Sequence, residues 1–328
     1  MTSKPKNRHD IYQSNVKFIS NEEFMYPFKR LLVALDNTAL DETLINYASA
    51  IVNTMDVEKV YFFHVAKSLD LPEGLSEKYP DLLAPVNESL THDFQVKIDK
   101  HFKSNSCASE IVLKEGNAAD QVLRWSEIKA IDLLIVGRKI QLKGQGVISG
   151  RLARVAHCSI LFVPENANPQ MSSILIPIDF SRNSSMALDT ALEIKKANGA
   201  KVMLQNAFHV PWGYHTTGKT FEEFAEVMKE HATNDAKKYL KKHELELENF
   251  ELVLSLDKDD NPAECAYEEA IKNHADLIIM SSKGRSGLAH ILLGSVAEKM
   301  MKLDANIPLM VAKNKKENMG FFEALMKV

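Results

Sequence analysis

The chain has 328 residues, about two ordinary domains in length, and with 45% hydrophobic residues it can bury a core in each. Charged residues make up 26% and the net charge is −4, a slightly acidic balance that argues against broad nucleic-acid binding, which shows a basic surplus. No run reaches the roughly 18 apolar residues of a membrane span, and residues 1–20 hold no apolar stretch of signal-peptide type.

The expectation is a soluble, cytoplasmic protein with no membrane partner. Cys107, Cys158 and Cys265 are far apart and form no C-x-x-C pair. They read as reduced thiols rather than as a disulfide framework.

In chain order, residues 1–27 read as an N-terminal arm. The first apolar run is Leu31-Leu-Val-Ala-Leu-Asp36. Asn117-Ala-Ala-Asp120 then opens a helical stretch that leads to Asp132-Leu-Leu-Ile-Val136, and a last apolar run covers Ile160–Val163. Pro164-Glu-Asn-Ala-Asn-Pro-Gln170 is polar, contains two prolines and marks a boundary. The same series then starts again. Ile174-Leu-Ile-Pro-Ile-Asp179 stands 143 residues after its counterpart, and both Asn261-Pro-Ala-Glu264 and Asp276-Leu-Ile-Ile-Met280 stand 144 after theirs. The chain is a duplication, with units expected at 28–165 and 172–313 and a tail at 314–328.

In the second copy the apolar runs are 174–178, 201–204, 251–256, 276–280 and 308–312. Runs apolar throughout suit strands buried on both faces. Between the first two, Ala187, Leu188, Ala191, Leu192 and Ile194 recur at helical spacing. Ser181 or Ser184 is the expected N-cap of that helix, and Asn198-Gly199 its C-cap. Further helices are expected near 220–243, 263–273 and 295–303. Alternating β and α elements imply an α/β fold of two tandem, doubly wound, open parallel sheets of Rossmann-like type. The final strands, 160–163 and 308–312, would leave sticky edges, which predicts that the two copies pair within the chain. A homodimer is left open.

The segment from Met280 to Glu298 carries the chemistry. It leaves a strand and enters a helix, and it contains Gly284, Gly287 and Gly294. Glycines let the backbone approach an anion, and a helix N-terminus offers unpaired N–H groups and a favourable dipole. Lys283 and Arg285 could neutralise charge, and Ser295 could donate a hydroxyl. No Walker A sequence occurs.

On these residues the chain resembles the universal stress protein family, over roughly 28–313. ATP-binding members carry G-x-x-G, nine residues, then G-[S/T] after the fourth strand. The corresponding positions here are Ser281, Gly284, Gly294 and Ser295, so the first glycine is replaced by serine. The resemblance implies ATP as ligand, with Mg²⁺ shared by its phosphates. It carries cofactor binding to Pro177, Asp179, Ala207, Ser281, Gly284, Gly294, Ser295 and Val296. Asp179 would meet the ribose, although a carboxylate there could equally cap the next helix. Ala207 would face adenine, and Gln205-Asn206 before it departs from the family's leucine-histidine pair.

The first copy departs further. Anchored on its fourth strand, the loop positions are Gly137, Ile140, Gly150 and Arg151. Anchored on its last strand, the final pair is Gly146-Val147, and the loop is four residues shorter than its counterpart. Either way the second glycine and the final hydroxyl are lost. Lys139, Lys143, Arg151 and Arg154 leave the region basic, and Asp36 is retained.

His209 and His215 lack zinc-ligand spacing, and no nucleophile elbow or H-E-x-x-H motif is present. No general base stands out. The function expected is a nucleotide-binding stress-response or regulatory protein that binds ATP in its second copy. A slow ATPase or phosphotransferase, or a ligand-free interaction scaffold, remain the alternatives.

Overall fold

A computed structural model describes residues 28–67, 86–104, 107–138, 146–284, 293–303 and 306–315. The arm 1–27, Lys139, Ile140, Lys143, Arg285, Gly287 and the tail from residue 316 lie outside the described residues.

The first half runs β1 (Arg30–Leu35), α1 (Leu40–Thr54), β2 (Lys59–Ala66), α2 (Val86–His101), β3 (Ala108–Glu115), α3 (Ala118–Ile128), β4 (Leu133–Arg138), α4 (Gly146–Val155) and β5 (Ser159–Pro164). The second half repeats it as β6 (Ser173–Pro177), α5 (Ser185–Asn198), β7 (Lys201–Phe208), α6 (Phe221–Lys242), β8 (Glu251–Leu256), α7 (Pro262–Lys272), β9 (Leu277–Ser281), α8 (Ser295–Lys302) and β10 (Leu309–Ala312). The expected alternation is present throughout.

Each half is a parallel sheet, but the two sheets are one. Ten strands lie in the order β3-β2-β1-β4-β5-β10-β9-β6-β7-β8. Within each half every pairing is parallel, whereas β5 and β10 pair antiparallel, Met310 opposite Leu161. Ile160, Leu161, Phe162, Leu309, Met310 and Val311 are all buried. Each of these two strands closes the apolar edge that the other would expose.

Alternation along the strands divides the core into two layers. Leu31, Val33, Leu133, Ile135, Ile174 and Ile176 face one cluster, with α1, α2, α5 and α6 packed over it. Leu32, Leu134, Val136, Leu175, Met203 and Ile278 face the other, under α3, α4, α7 and α8. Both layers run unbroken across the two halves, so side chains from both copies share each core.

Repeated devices hold the repeated elements. Asp132 accepts from the backbone N–H groups of Lys29 (3.0 Å) and Arg30 (2.9 Å). Asp276, its counterpart, accepts from Ser172 (2.9 Å) and Ser173 (3.1 Å). Each aspartate thus ties the start of its fourth strand to the start of the first.

Helix ends follow the sequence, with one correction. Gly199 takes a left-handed φ of 76° to close α5, as a C-cap glycine does. Thr220 and Glu223 form a reciprocal capping box at the start of α6. Asn117 caps α3 by accepting from the Asp120 N–H at 3.2 Å, while Asn261 makes no such bond and is followed by Pro262 in the first turn of α7. The expected serine cap of α5 is absent. Ser181 precedes a short 3-10 turn (Arg182–Ser184), Ser184 precedes α5, and neither side chain bonds a helix amide. The Ser184 hydroxyl instead donates to Asp179 Oδ1 at 2.7 Å.

In the first half, α4 begins at Gly146, which places Gly150 inside the helix. That agrees with the alignment anchored on the last strand. The loop before α4 is the shorter one.

Candidate functional site at the switch point of the second half

Strand β6 pairs with both β7 and β9, so the chain leaves it in opposite directions on its two sides. Such a switch point opens a crevice at the carboxyl ends of the strands. Here it forms a cavity of about 520 Å³. Pro177, Asp179, Ala207, Ser281, Gly284, Gly294, Ser295 and Val296 all line it. Residues distant in sequence are gathered because each stands at the end of a neighbouring strand or the start of α8.

Asp179 sits at the centre. Its Oδ1 accepts from the Ser181 N–H (3.0 Å) and the Ser184 hydroxyl (2.7 Å), which turns the chain into α5. A carboxylate has a second oxygen with its own lone pairs. That oxygen, Oδ2, faces Gly284 so closely that a Cβ there would stand 2.9 Å from it. The helix-entry role is therefore filled by one oxygen, and the other looks onto the loop.

The two glycines act differently. Gly284 leaves room for Asp179, and its carbonyl accepts from Asn183 Nδ2 at 2.8 Å, which ties the loop to the start of α5. Gly294 donates its N–H to the Ser282 carbonyl at 2.6 Å, and a Cβ on it would lie 3.3 Å from that same oxygen. Its part is close packing of the end of the loop against its beginning. The donors for an anion are then the first amides of α8, which have no partner within the helix. Ser295 occupies the first position of that helix.

Ser281, in place of the family's glycine, has a buried hydroxyl with no hydrogen-bond partner. An unpaired buried hydroxyl costs about 1–3 kcal/mol. A ligand group in the cavity would recover that energy.

The wall of the cavity opposite the loop is built in part by residues the sequence reading did not weigh. Met228, His231, Ala232 and Asp235 present one face of α6 to the cavity. Their spacing of three and four is the helical signal that could have found them. Asn206 Nδ2 donates to the Ile178 carbonyl at 2.7 Å, just where His64 Nδ1 meets the Leu35 carbonyl at 2.9 Å in the first half. Asparagine thus replaces histidine as the pin that holds the end of the first strand. Deeper in, Tyr239 has its phenol raised by burial and by the carboxylates of Asp189 and Asp179, so it stays protonated.

Comparison with known proteins agrees with this architecture. The model of the universal stress protein family matches twice, at residues 27–164 and 171–313. A universal stress protein of Methanocaldococcus jannaschii is 31% identical over 157 residues, covering 43% of this chain and 94% of that protein. A second from the same organism is 34% identical over 158 residues, 46% of this chain and 88% of that protein. Among solved structures, a universal stress protein from Archaeoglobus fulgidus covers 88% of this chain and 99% of its own at a TM-score of 0.60 and 16% identity, a likeness of fold. Two family matches, in a chain whose halves repeat one another strand for strand, leave one conclusion: the chain belongs to the universal stress protein family, in a tandem two-domain form.

Proposed function

We propose that this protein binds ATP in its second half, one molecule per chain, and serves as a nucleotide-responsive regulatory or stress-response protein. The observation that carries this reading is the convergence of Asp179, Ala207, Gly284, Gly294 and Ser295 on one cavity of about 520 Å³ at the switch point. Asp179 Oδ2 is the acceptor for a ribose hydroxyl. Ala207, with the α6 face, bounds the base. The first amides of α8, Ser295, Val296 and the Ser281 hydroxyl hold the phosphates, and Lys283 supplies positive charge at the rim. Bound Mg²⁺ would be carried by the phosphates and neutralise part of their charge.

The first half keeps Asp36 but lacks the tether. Leu40, the counterpart of Asn183, lies against Gly137, where an added Cβ would stand 2.3 Å from its Cδ2. An apolar side chain there cannot hold a loop carbonyl. Hydrogen bonds to charged groups contribute about 1.5–3 kcal/mol each. Two missing contacts weaken a triphosphate by at least about a hundredfold, since about 1.4 kcal/mol is tenfold.

Mass spectrometry of nucleotide released from the purified full chain, with calorimetric titration of the stripped protein, tests the reading. One ATP per chain supports it. Two equivalent sites, or none, would refute it. ADP that accumulates with Mg²⁺ would turn the reading toward a slow ATPase.

A further inference from the structure

The first half has a cavity at its own switch point, and it is larger, about 690 Å³. Its floor lies at the ends of β1, β2 and β4, where Leu35, Val65 and Val136 line it beside Leu40 and Leu152. One wall belongs to the other half of the chain. Leu293, Met301 and Leu303, from α8 and the residues that flank it, complete the apolar lining. Neither half encloses this space alone. The same helix lines the other cavity with its first turn, Ser295–Ala297, and this one with its last.

Charge is gathered on one side. Arg138, Arg154 and Lys302 all line the cavity, the last from α8. Glu298 stands among them, 3.7 Å from Arg154 and 3.0 Å from Lys302. Arg138 donates to the Met301 carbonyl at 3.1 Å, which ties the end of β4 to α8. Two cations, Arg154 and Lys302, thus share one resident carboxylate at the rim of an apolar chamber. Asp36 lies on the opposite side, at the end of β1.

We propose that this cavity is a second ligand site, of different specificity from the first, for a small amphipathic anion. Its ligand has a compact apolar body and a single anionic head, a carboxylate or a phosphate monoester. The body rests on Leu35, Leu40, Val136 and Met301. The head takes the place beside Arg154 and Lys302 that Glu298 now shares. A triphosphate chain is disfavoured, because Leu40 fills the position from which the tether of the second half acts.

The test is calorimetric titration of the full chain with 1-naphthyl phosphate and, separately, 1-naphthoate, each in the presence of saturating ATP. At least one should bind with a stoichiometry of one, and the tighter of the two identifies the head group. Gly150 lies on α4 and lines the cavity, and the nearest atoms to a Cβ added there belong to the Arg154 guanidinium at 3.6 Å. Gly150→Leu therefore grows into the chamber while it improves a helix. It should weaken the probe at least tenfold with no fall in Tm. Arg154→Ala/Lys302→Ala should do the same, and Glu298→Gln, which removes the resident anion, should strengthen binding severalfold. The proposal is overturned if neither probe binds, if ATP displaces the probe, or if Gly150→Leu and the double variant bind it as the wild type does.

Discussion

The two halves differ least where they are scaffold and most where they could hold a ligand. Asp132 and Asp276 make the same strand ties, and His64 and Asn206 make the same bond to the end of the first strand, with different chemistry. At the loop the correspondence stops. Asn183 holds the Gly284 carbonyl, whereas Leu40 packs on Gly137. The fold tolerates exchange of one hydrogen-bonding side chain for another. The loop proposed to hold phosphate would not tolerate the loss of its tether, because its donors must be held in place before a ligand arrives.

The largest expected effect comes from separating the halves. Residues 28–165 expressed alone would bare β5, whose Ile160, Leu161 and Phe162 are now buried against β10. Sedimentation should find self-association or aggregation. A well-behaved monomer of unchanged stability would break the idea that one sheet unites the two copies.

Next is Gly284→Asp. The new carboxylate would stand within contact of Asp179 Oδ2 and face phosphate. ATP affinity should fall at least a hundredfold by calorimetry, and Tm should fall modestly as Asp179 moves away from the new side chain. The first half has isoleucine, Ile140, in the place of Gly284, and its glycine at the end of β4, Gly137, stands in the place of Ser281; Gly137→Asp should leave ATP stoichiometry and affinity as they were, though it will cost stability against Leu40. An equal loss of ATP from both variants would erase the distinction between the halves.

Smaller effects sharpen it. Ser295→Val removes one hydroxyl donor and should weaken ATP about tenfold, on the basis of about 1.5–3 kcal/mol for a bond to a charged group. Asn183→Ala releases the Gly284 carbonyl and should cost about 1 kcal/mol of stability, with a comparable loss of affinity.

The junction adds a pH dependence. Lys313 is buried between the halves, and its amine donates to the carbonyls of Ala153 (2.6 Å) and Ala156 (2.7 Å) at the end of α4. Burial lowers its pKa to about 7, and nearby Lys283 acts in the same direction. An unfolded lysine still binds its proton up to its ordinary pKa, so from about pH 7 upward the unfolded chain holds more protons than the folded one. Stability should then rise with pH, with a slope approaching about 1.4 kcal/mol per pH unit from this group. Neighbouring Cys158 is pushed up to about 12 by burial and works the other way once pH passes the usual thiol range near 9. Denaturation midpoints at pH 7 and 8.5 should show the increase, and Lys313→Met should flatten it. An identical slope in the variant would remove Lys313 from the account.

Much of this was legible in the chain itself. Apolar runs such as Leu277–Met280 read as buried strands because a parallel strand is covered on both faces, and Asn198-Gly199 read as a helix end because only glycine takes that φ without strain. The repeat followed from local pattern and spacing, whereas the loop and Asp179 were singled out through resemblance to the family. The Ser181 or Ser184 cap did not hold, since Asp179, two and five residues earlier, competes for the same groups. Asn183 was not found, because nothing local to it announces a partner a hundred residues away, and the Met228–Asp235 spacing marks a helix face without showing which cavity that face lines.

By itself, then, the sequence determined the elements and their duplication, which rest on periodicity and short-range backbone chemistry, and the family through the likeness of its loop to a known motif. Tertiary structure alone decided that the two sheets join antiparallel through β5 and β10, and that α8 borders both cavities. Those outcomes depend on which surfaces meet once both halves have folded. Burying two apolar edges against each other is a property of the pair, and neither edge carries a local signal of the direction in which the other will run.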